Sequence, residues 1–208
     1  MNTVNNNILE YITDKYAPIC VILYGSYADG SNGPDSDFDA LAVTASGKPY
    51  HDTSIIDGVR LDLFVYPAAH FEGGTDWEEI VQIYHGRVAL DRDGFGKRLM
   101  AGVNEYVDNL PGKSPEDIAA GLGWCEKMLA RAGRGDPEGR FRWHWLLIDS
   151  LEIYFDALGE RYWGPKKALL RMEREHPRAL ELYSAALGSL DYEALERWIE
   201  YIRTVVPD

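Results

Sequence analysis

Two aspartates one residue apart, Asp37 and Asp39, sit in "DSDFDALAV" at residues 35–43, where a polar turn runs into an apolar segment. Side chains of a strand alternate between faces, so these two carboxylates point the same way, about 7 Å apart along the chain. Phe38 and Ala40 take the opposite face. Like charges held that close stay ionised only if a cation sits between them. A third carboxylate lies in "GVRLDLFVY", where Val59, Leu61, Leu63 and Val65 form one apolar stripe and Arg60, Asp62 and Phe64 the other face. A charge in the middle of such a strand is costly unless paired. If the two segments are neighbours, three carboxylates converge. Oxygen-only, carboxylate-rich sites suit Mg²⁺, which shares its shell with substrate phosphates. Two such ions serve in-line displacement at phosphorus.

Upstream, "APICVILYG" is a continuous apolar run that ends in Gly25-Ser26, twelve residues before Asp37. Glycine directly after a buried strand lets backbone approach a phosphate with no Cβ in the way. Ser26 offers an N–H and a hydroxyl at the start of a helical turn, where an anion is favoured. The chain has no G-x-x-x-x-G-K-[ST] loop, so the site is not of the Walker type. Each piece alone reads as an ordinary turn, strand cap or edge-strand charge. It is their conjunction that points to a metal–phosphate site.

These segments resemble the signature of the nucleotidyltransferase superfamily that includes DNA polymerase beta: an apolar strand, Gly-Ser, a gap, then D-x-D, with "RLDLFV" similar to the strand carrying that family's third carboxylate. The resemblance covers about residues 18–66. It implies a nucleoside triphosphate substrate, ATP for preference, two Mg²⁺ ions, and transfer of a nucleoside monophosphate with release of pyrophosphate. On this resemblance Asp37 and Asp39 hold both metals, Asp62 completes one site and helps deprotonate the acceptor, and Gly25 and Ser26 contact the β- and γ-phosphates.

The elements that must position these groups follow from pattern. "NNILEYITDKYA" has helical spacing and the "APICVILYG" run reads as a central strand. "SIIDGVRLDLFVYP" reads as two strands around Asp57-Gly58, a two-residue hairpin signal, and "GRVALD" at 86–91 as a further short strand. After about residue 94 the pattern turns helical. Phe95, Leu99, Val103, Tyr106 and Val107 share a stripe. Ser114, Pro115 and Asp117 make a helix start of N-cap, first-turn proline and third-position acid. Four further helical stretches follow, separated by Gly or Pro. The expected fold is therefore α+β, a small mixed β-sheet with flanking helices over residues 1–92, followed by a C-terminal helical bundle over 93–208.

In the helical half, a layout similar to aminoglycoside and lincosamide adenylyltransferases is carried by "SLEIYFDALGERYWGPKKALLRM". Lys166 and Lys167, set by Pro165 at a helix start where cations are disfavoured, become candidates for the triphosphate tail; a solvated helix start is the competing reading. In some antibiotic-modifying relatives a glutamate from the helical domain is the general base, and Glu152 is the candidate here, with Asp149 second. Trp143, Trp145, Leu146, Ile153, Tyr154 and Phe155 are expected in the core, and His144 with them.

Composition narrows the classes. The chain has 208 residues and a net charge of −13, which argues against a broad basic face for nucleic acid. Residues 131–178 are the only net-positive stretch, with 10 Lys/Arg against 8 Asp/Glu. The start of the chain lacks a charged and apolar leader, and no apolar run spans a bilayer, so a cytoplasmic protein with no membrane partner is expected. Cys20 and Cys125 are expected as buried free thiols. The expected acceptor is a small hydroxylated molecule, an antibiotic being one class, and a homodimer is compatible with the sequence. The alternative is an antitoxin-like or regulatory nucleotidyltransferase that modifies or binds a partner protein.

Overall fold

The computed structural model describes residues 3–206. The chain divides into two compact units, Met1–Leu110 and Pro111–Asp208. The division falls after residue 110, not at 92, because the helix at 95–108 packs against strands of the first unit.

The first unit runs α1 (Thr3–Tyr16), β1 (Cys20–Leu23), α2 (Gly25–Asp29), β2 (Phe38–Thr44), β3 (Tyr50–Asp52), β4 (Ile55–Ile56), β5 (Val59–Pro67), β6 (Arg87–Asp91) and α3 (Phe95–Asp108), with two short 3₁₀ turns in the 68–86 loop. The sheet order is β3-β5-β2-β1-β6, and β4 pairs with β5. Only β2 and β5 are parallel. The Asp57-Gly58 hairpin forms as the sequence indicates: both residues have positive φ, 50° and 83°, which is what a primed two-residue turn demands. The strand β3 has no sequence signature of its own.

The sheet has two different faces. On one, Val21, Leu23, Phe38, Ala40, Ala42, Leu61, Leu63 and Val65 pack with Ile8 and Ile12 of α1 in a continuous core. On the other, Cys20, Ile22, Leu41 and Val43 are buried, and α3 comes close enough that Gly96 would meet the Cys20 Cβ if it carried a side chain. Burial pushes the Cys20 thiol up to about 12, so it stays an inert thiol. Towards the other end of this second face the burial relaxes, and Asp39, Asp62 and Phe64 are only half buried.

The edge strand β3 is fixed to α1 by one carboxylate. Asp52 is 1% exposed, and its Oδ2 accepts from Lys15 Nζ at 2.9 Å, Tyr16 OH at 2.7 Å and Tyr11 OH at 3.1 Å. Its Oδ1 accepts from the Ser54 N–H at 2.9 Å and the Ser54 hydroxyl at 2.6 Å. Burial by itself would raise the proton affinity of Asp52. The hydrogen bonds from Ser54, Tyr16 and Lys15 outweigh it and hold the carboxyl well below the usual carboxylate range.

The second unit is all helical: α4 (Pro115–Ala132), α5 (Pro137–Ala157), α6 (Pro165–Glu175), α7 (Pro177–Gly188) and α8 (Tyr192–Thr204). Four of the five open on proline at the first turn, where its missing N–H costs nothing. Ser114 caps α4 by accepting from the Asp117 N–H at 3.1 Å, as the sequence indicates. The core gathers Cys125, Trp143, Leu146, Tyr154, Phe155, Met172 and Trp198. Trp198 Nε1 donates to Ser150 Oγ at 2.9 Å, which answers its buried donor. Two core expectations are corrected. His144 is exposed, and Trp145 is 39% exposed, its indole N–H donating to Asp149 Oδ2 at 2.6 Å. Both lie on the outer side of α5, whose inner side is filled by Trp143, Leu146 and Leu147. Ile153 is only partly buried.

Because the folded Asp52 binds its proton less tightly than an unfolded aspartate, its contribution is present at neutral pH and fades as the pH falls through the carboxylate range. In denaturant unfolding, Asp52→Asn is expected to cost about 2–4 kcal/mol at pH 7, with the gap to wild type closing as the pH drops below about 4.

Candidate functional site

The parallel register of β2 and β5 sets Asp39 directly opposite Asp62. Antiparallel pairing of β1 with β2, Leu23 against Ala40, brings Tyr24 level with Asp39, and the Tyr24 N–H donates to the Asp39 carbonyl at 3.1 Å. Tyr24, just past the end of β1, thus forms a row with Asp39 of β2 and Asp62 of β5 on the half-open face. Backbone pairing alone fixes this row; neighbouring strands lie about 5 Å apart. Asp37 is exposed, just before β2, and has no register partner. Among the described residues, no three His, Cys, Asp or Glu side chains gather tightly enough to hold a metal as they stand. The structure therefore brings Asp39 and Asp62 together, and leaves Asp37 at the mouth of the same strand.

The Gly25-Ser26 turn meets this row. Gly25 has φ +61°, and a Cβ built on it would fall 2.1 Å from Asp39 Oδ2. Any other residue there would be strained at this positive φ and would push the Asp39 carboxylate aside. From the sequence this glycine is expected to make room for a phosphate; in the structure the space its side chain would take is filled by the Asp39 carboxylate. Ser26 follows at the start of α2, 8% exposed, and its carbonyl accepts from the Gly30 N–H that closes the turn.

Three residues of this face went unsingled in the sequence. Tyr24 is 7% exposed, and its hydroxyl makes no hydrogen bond, although the Gln82 side chain lies nearby. Burial first, then the negative charges of Asp62 and Asp39, raise its proton affinity far above that of an ordinary tyrosine. His51 on β3 places Nε2 2.5 Å from Asp62 Oδ1, its ring stacked on Phe64 with centroids 4.3 Å apart. Tyr66, two positions beyond Phe64 on the same strand face, stacks on His70, which pairs with Glu79 at 2.9 Å. The only signal for Tyr24 was its place next to Gly25 at the end of the apolar run. His51 had none, because its strand carries no apolar alternation.

A divalent cation fits these residues. The donors are oxygens: two carboxylates, Asp39 and Asp62, stand adjacent, Asp37 lies two residues before Asp39 on the chain, and the buried Tyr24 hydroxyl lies within their field. Gly25 supplies a wall without a side chain.

The remaining candidates lie in the second unit. Glu152 is an exposed residue of α5, and its charge reaches Asp156 and Tyr162. Asp156, one turn on, is only partly exposed and binds its proton more tightly than an ordinary aspartate. Burial is the main cause, Glu152 and Asp117 add to it, and Lys113 opposes it. Lys166 and Lys167 are exposed at the start of α6, with Lys167 Nζ 5.6 Å from the centre of the Trp163 ring and the Arg161 guanidinium 4.9 Å from the same ring.

Among the described residues, no helix is long and apolar enough to cross a membrane. No curated protein matches the chain. Among solved structures, a nucleotidyltransferase-like protein from Exiguobacterium sibiricum 255-15 aligns over 97% of this chain and 73% of its own at 10% identity, with a TM-score of 0.43. The sequence matches the nucleotidyltransferase domain family over residues 6–89, a span that contains the Gly25-Ser26 turn, the D-x-D aspartates and Asp62. With that match laid over the mixed sheet and its row of carboxylates, the chain carries, in residues 6–89, a domain of the nucleotidyltransferase superfamily.

Proposed function

We propose that the protein is a Mg²⁺-dependent enzyme that moves a nucleoside monophosphate, AMP from ATP, onto a hydroxyl of a small acceptor. The observation that supports this best is the pairing of Asp39 with Asp62 beside a glycine whose missing side chain leaves room for the Asp39 carboxylate. Asp37 and Asp39 would hold two metal ions, with Asp62 completing one site. Two bound Mg²⁺ ions supply charge neutralisation and activation of the attacking and leaving oxygens. The chain's own residues do the rest. Gly25 lets the triphosphate approach the backbone, and Ser26 offers its N–H and hydroxyl to the terminal phosphates. Asp62, on the side of the row away from Gly25, faces the acceptor and receives its proton. The acceptor oxygen bonds to the α-phosphorus as the bond to the bridging oxygen breaks, and pyrophosphate leaves. Lys166 and Lys167 are proposed for the triphosphate tail, and Glu152 as a further base, with the more deeply set Asp156 as its physical rival. The net charge of −13 favours a cationic acceptor, and aminoglycoside antibiotics are the class to try first.

The test is label transfer from α-labelled ATP, GTP, CTP and UTP to a panel of aminoglycosides and lincosamides in Mg²⁺. Transfer to one acceptor is expected, ATP being preferred, and Asp39→Asn or Asp62→Asn should lower kcat by about 1,000-fold. Undiminished turnover in the Asp37→Asn, Asp39→Asn double variant would overturn the mechanism.

Gly25→Ala adds strain at positive φ of about 1–2 kcal/mol and pushes on Asp39. It is expected to lower Tm by a few degrees and to weaken nucleotide binding by more than 10-fold. Calorimetric titration with a non-hydrolysable ATP analogue would show it.

A further inference from the structure

We propose that His51 is a positioning residue for the Asp62 carboxylate, holding one of its oxygens so that the other is presented to a divalent cation. The proposal rests on the nucleotidyl-transfer reading above. A carboxylate can only accept, so the contact is an N–H of the imidazole, Nε2, donating to Asp62 Oδ1 at 2.5 Å. The side chains of His51 and Asp62 are 45% and 39% exposed, so the pair sits at the open end of the carboxylate row.

The ring is held in two ways. Its flat face lies on Phe64, with 5° between the planes, directly across the β3–β5 ladder. Its backbone is held by the next residue: Asp52 points to the opposite face of the sheet and is fixed there by Lys15, Tyr11, Tyr16 and Ser54. β3 therefore cannot slide along β5 without breaking those bonds, and a one-residue slip would turn His51 away from Asp62. The stack sets the plane of the ring, the buried carboxylate sets its register, and the Nε2–H lands on one oxygen of Asp62. Across the row, Asp39 lies on the other side of Asp62 from β3. A carboxylate engaged in this way on its outer side offers its inner oxygen to a cation shared with Asp39. Partners of this kind, which orient a metal ligand without touching the metal, are commonly worth 10–100-fold in metal affinity.

The experiment measures Mn²⁺ binding to the full-length protein by electron paramagnetic resonance, with and without α,β-methylene-ATP, and follows folding by thermal unfolding. His51→Phe keeps a ring over Phe64 and loses the donor; His51→Ala loses both; His51→Gln keeps an N–H at similar reach. Both donor-less variants are expected to bind Mn²⁺ at least about 10-fold more weakly while remaining folded, and His51→Gln to stay within about threefold of wild type. Wild-type affinity in His51→Phe or His51→Ala overturns the proposal and leaves the nucleotidyl-transfer reading standing. Equal loss in His51→Gln also overturns it, since the donor would then be irrelevant. A wild-type protein that binds no Mn²⁺, with or without the nucleotide analogue, overturns both.

Discussion

The site depends on one backbone interaction, the parallel ladder between β2 and β5, because it forces Asp39 and Asp62 to stand side by side. Two carboxylates about 5 Å apart repel by about 3 kcal/mol at the effective dielectric of a protein surface. The opposite face of the same two strands offsets this. Phe38, Ala40, Leu61 and Leu63 alternate with the aspartates and are wholly buried. At about 1.5–3 kcal/mol for a large apolar side chain, that burial exceeds the repulsion. The fold can thus set two carboxylates side by side on one face because the other face holds the strands together. A cation bound between the aspartates would turn the repulsion into attraction, and the apolar burial does not need to change for that to happen.

What lies at either end of the row then decides how the carboxylates are aimed. At the β1 end, Gly25 removes the atom that would otherwise fall on Asp39 Oδ2, so the Gly25-Ser26 turn and the Asp39 carboxylate occupy adjoining space. At the β3 end, an imidazole meets Asp62. The lock on β3 comes from α1 through Asp52, whose five hydrogen bonds are made on the face away from the site. An interaction on the back of the sheet therefore bears on geometry at the front, through the register of a three-residue edge strand.

Much of this was legible in the sequence because alternation and turn chemistry are local. The two faces of "GVRLDLFVY", the Asp57-Gly58 turn, the strand before Gly25 and the proline-led helices all follow from residue type and spacing, and the structure has them. Other features were not legible because they are relations between distant segments. Nothing in "PYHDTS" marks a strand: its three paired residues are Tyr50, His51 and Asp52, and they are strand only because β5 offers an edge. His51 could not be assigned to Asp62 without that pairing. The fate of Asp52 likewise depends on Lys15, 37 residues away. On α5, a nearly all-round apolar sequence hid which side faces inward, and this is why Trp145 and His144 were placed in the core when they lie outside it. The boundary at 92 followed a change of pattern, whereas α3 belongs with the sheet through Leu99, Val103 and its close approach at Gly96.

The acceptor is a different kind of problem from the phosphate chemistry. Charge at phosphorus is handled by a few groups whose types and spacing are dictated by metal and phosphate geometry, so a short signature carries it. Recognition of a hydroxylated acceptor has no such fixed grammar, since many arrangements of carboxylates and aromatic rings suit a polar, cationic molecule. The α5 carboxylates illustrate the point. Glu152 was singled out for interrupting an apolar helix, but the same pattern contains Asp156, and only packing separates them. Glu152 is exposed, whereas Asp156 is partly withdrawn from solvent, with Lys113 near enough to favour its ionised form and Glu152 and Asp117 near enough to oppose it. A base is useful when its proton affinity approaches the working pH, and burial moves a carboxylate in that direction. Packing alone sets Asp156 apart, and no spacing rule in the sequence distinguishes it from its neighbour one turn away.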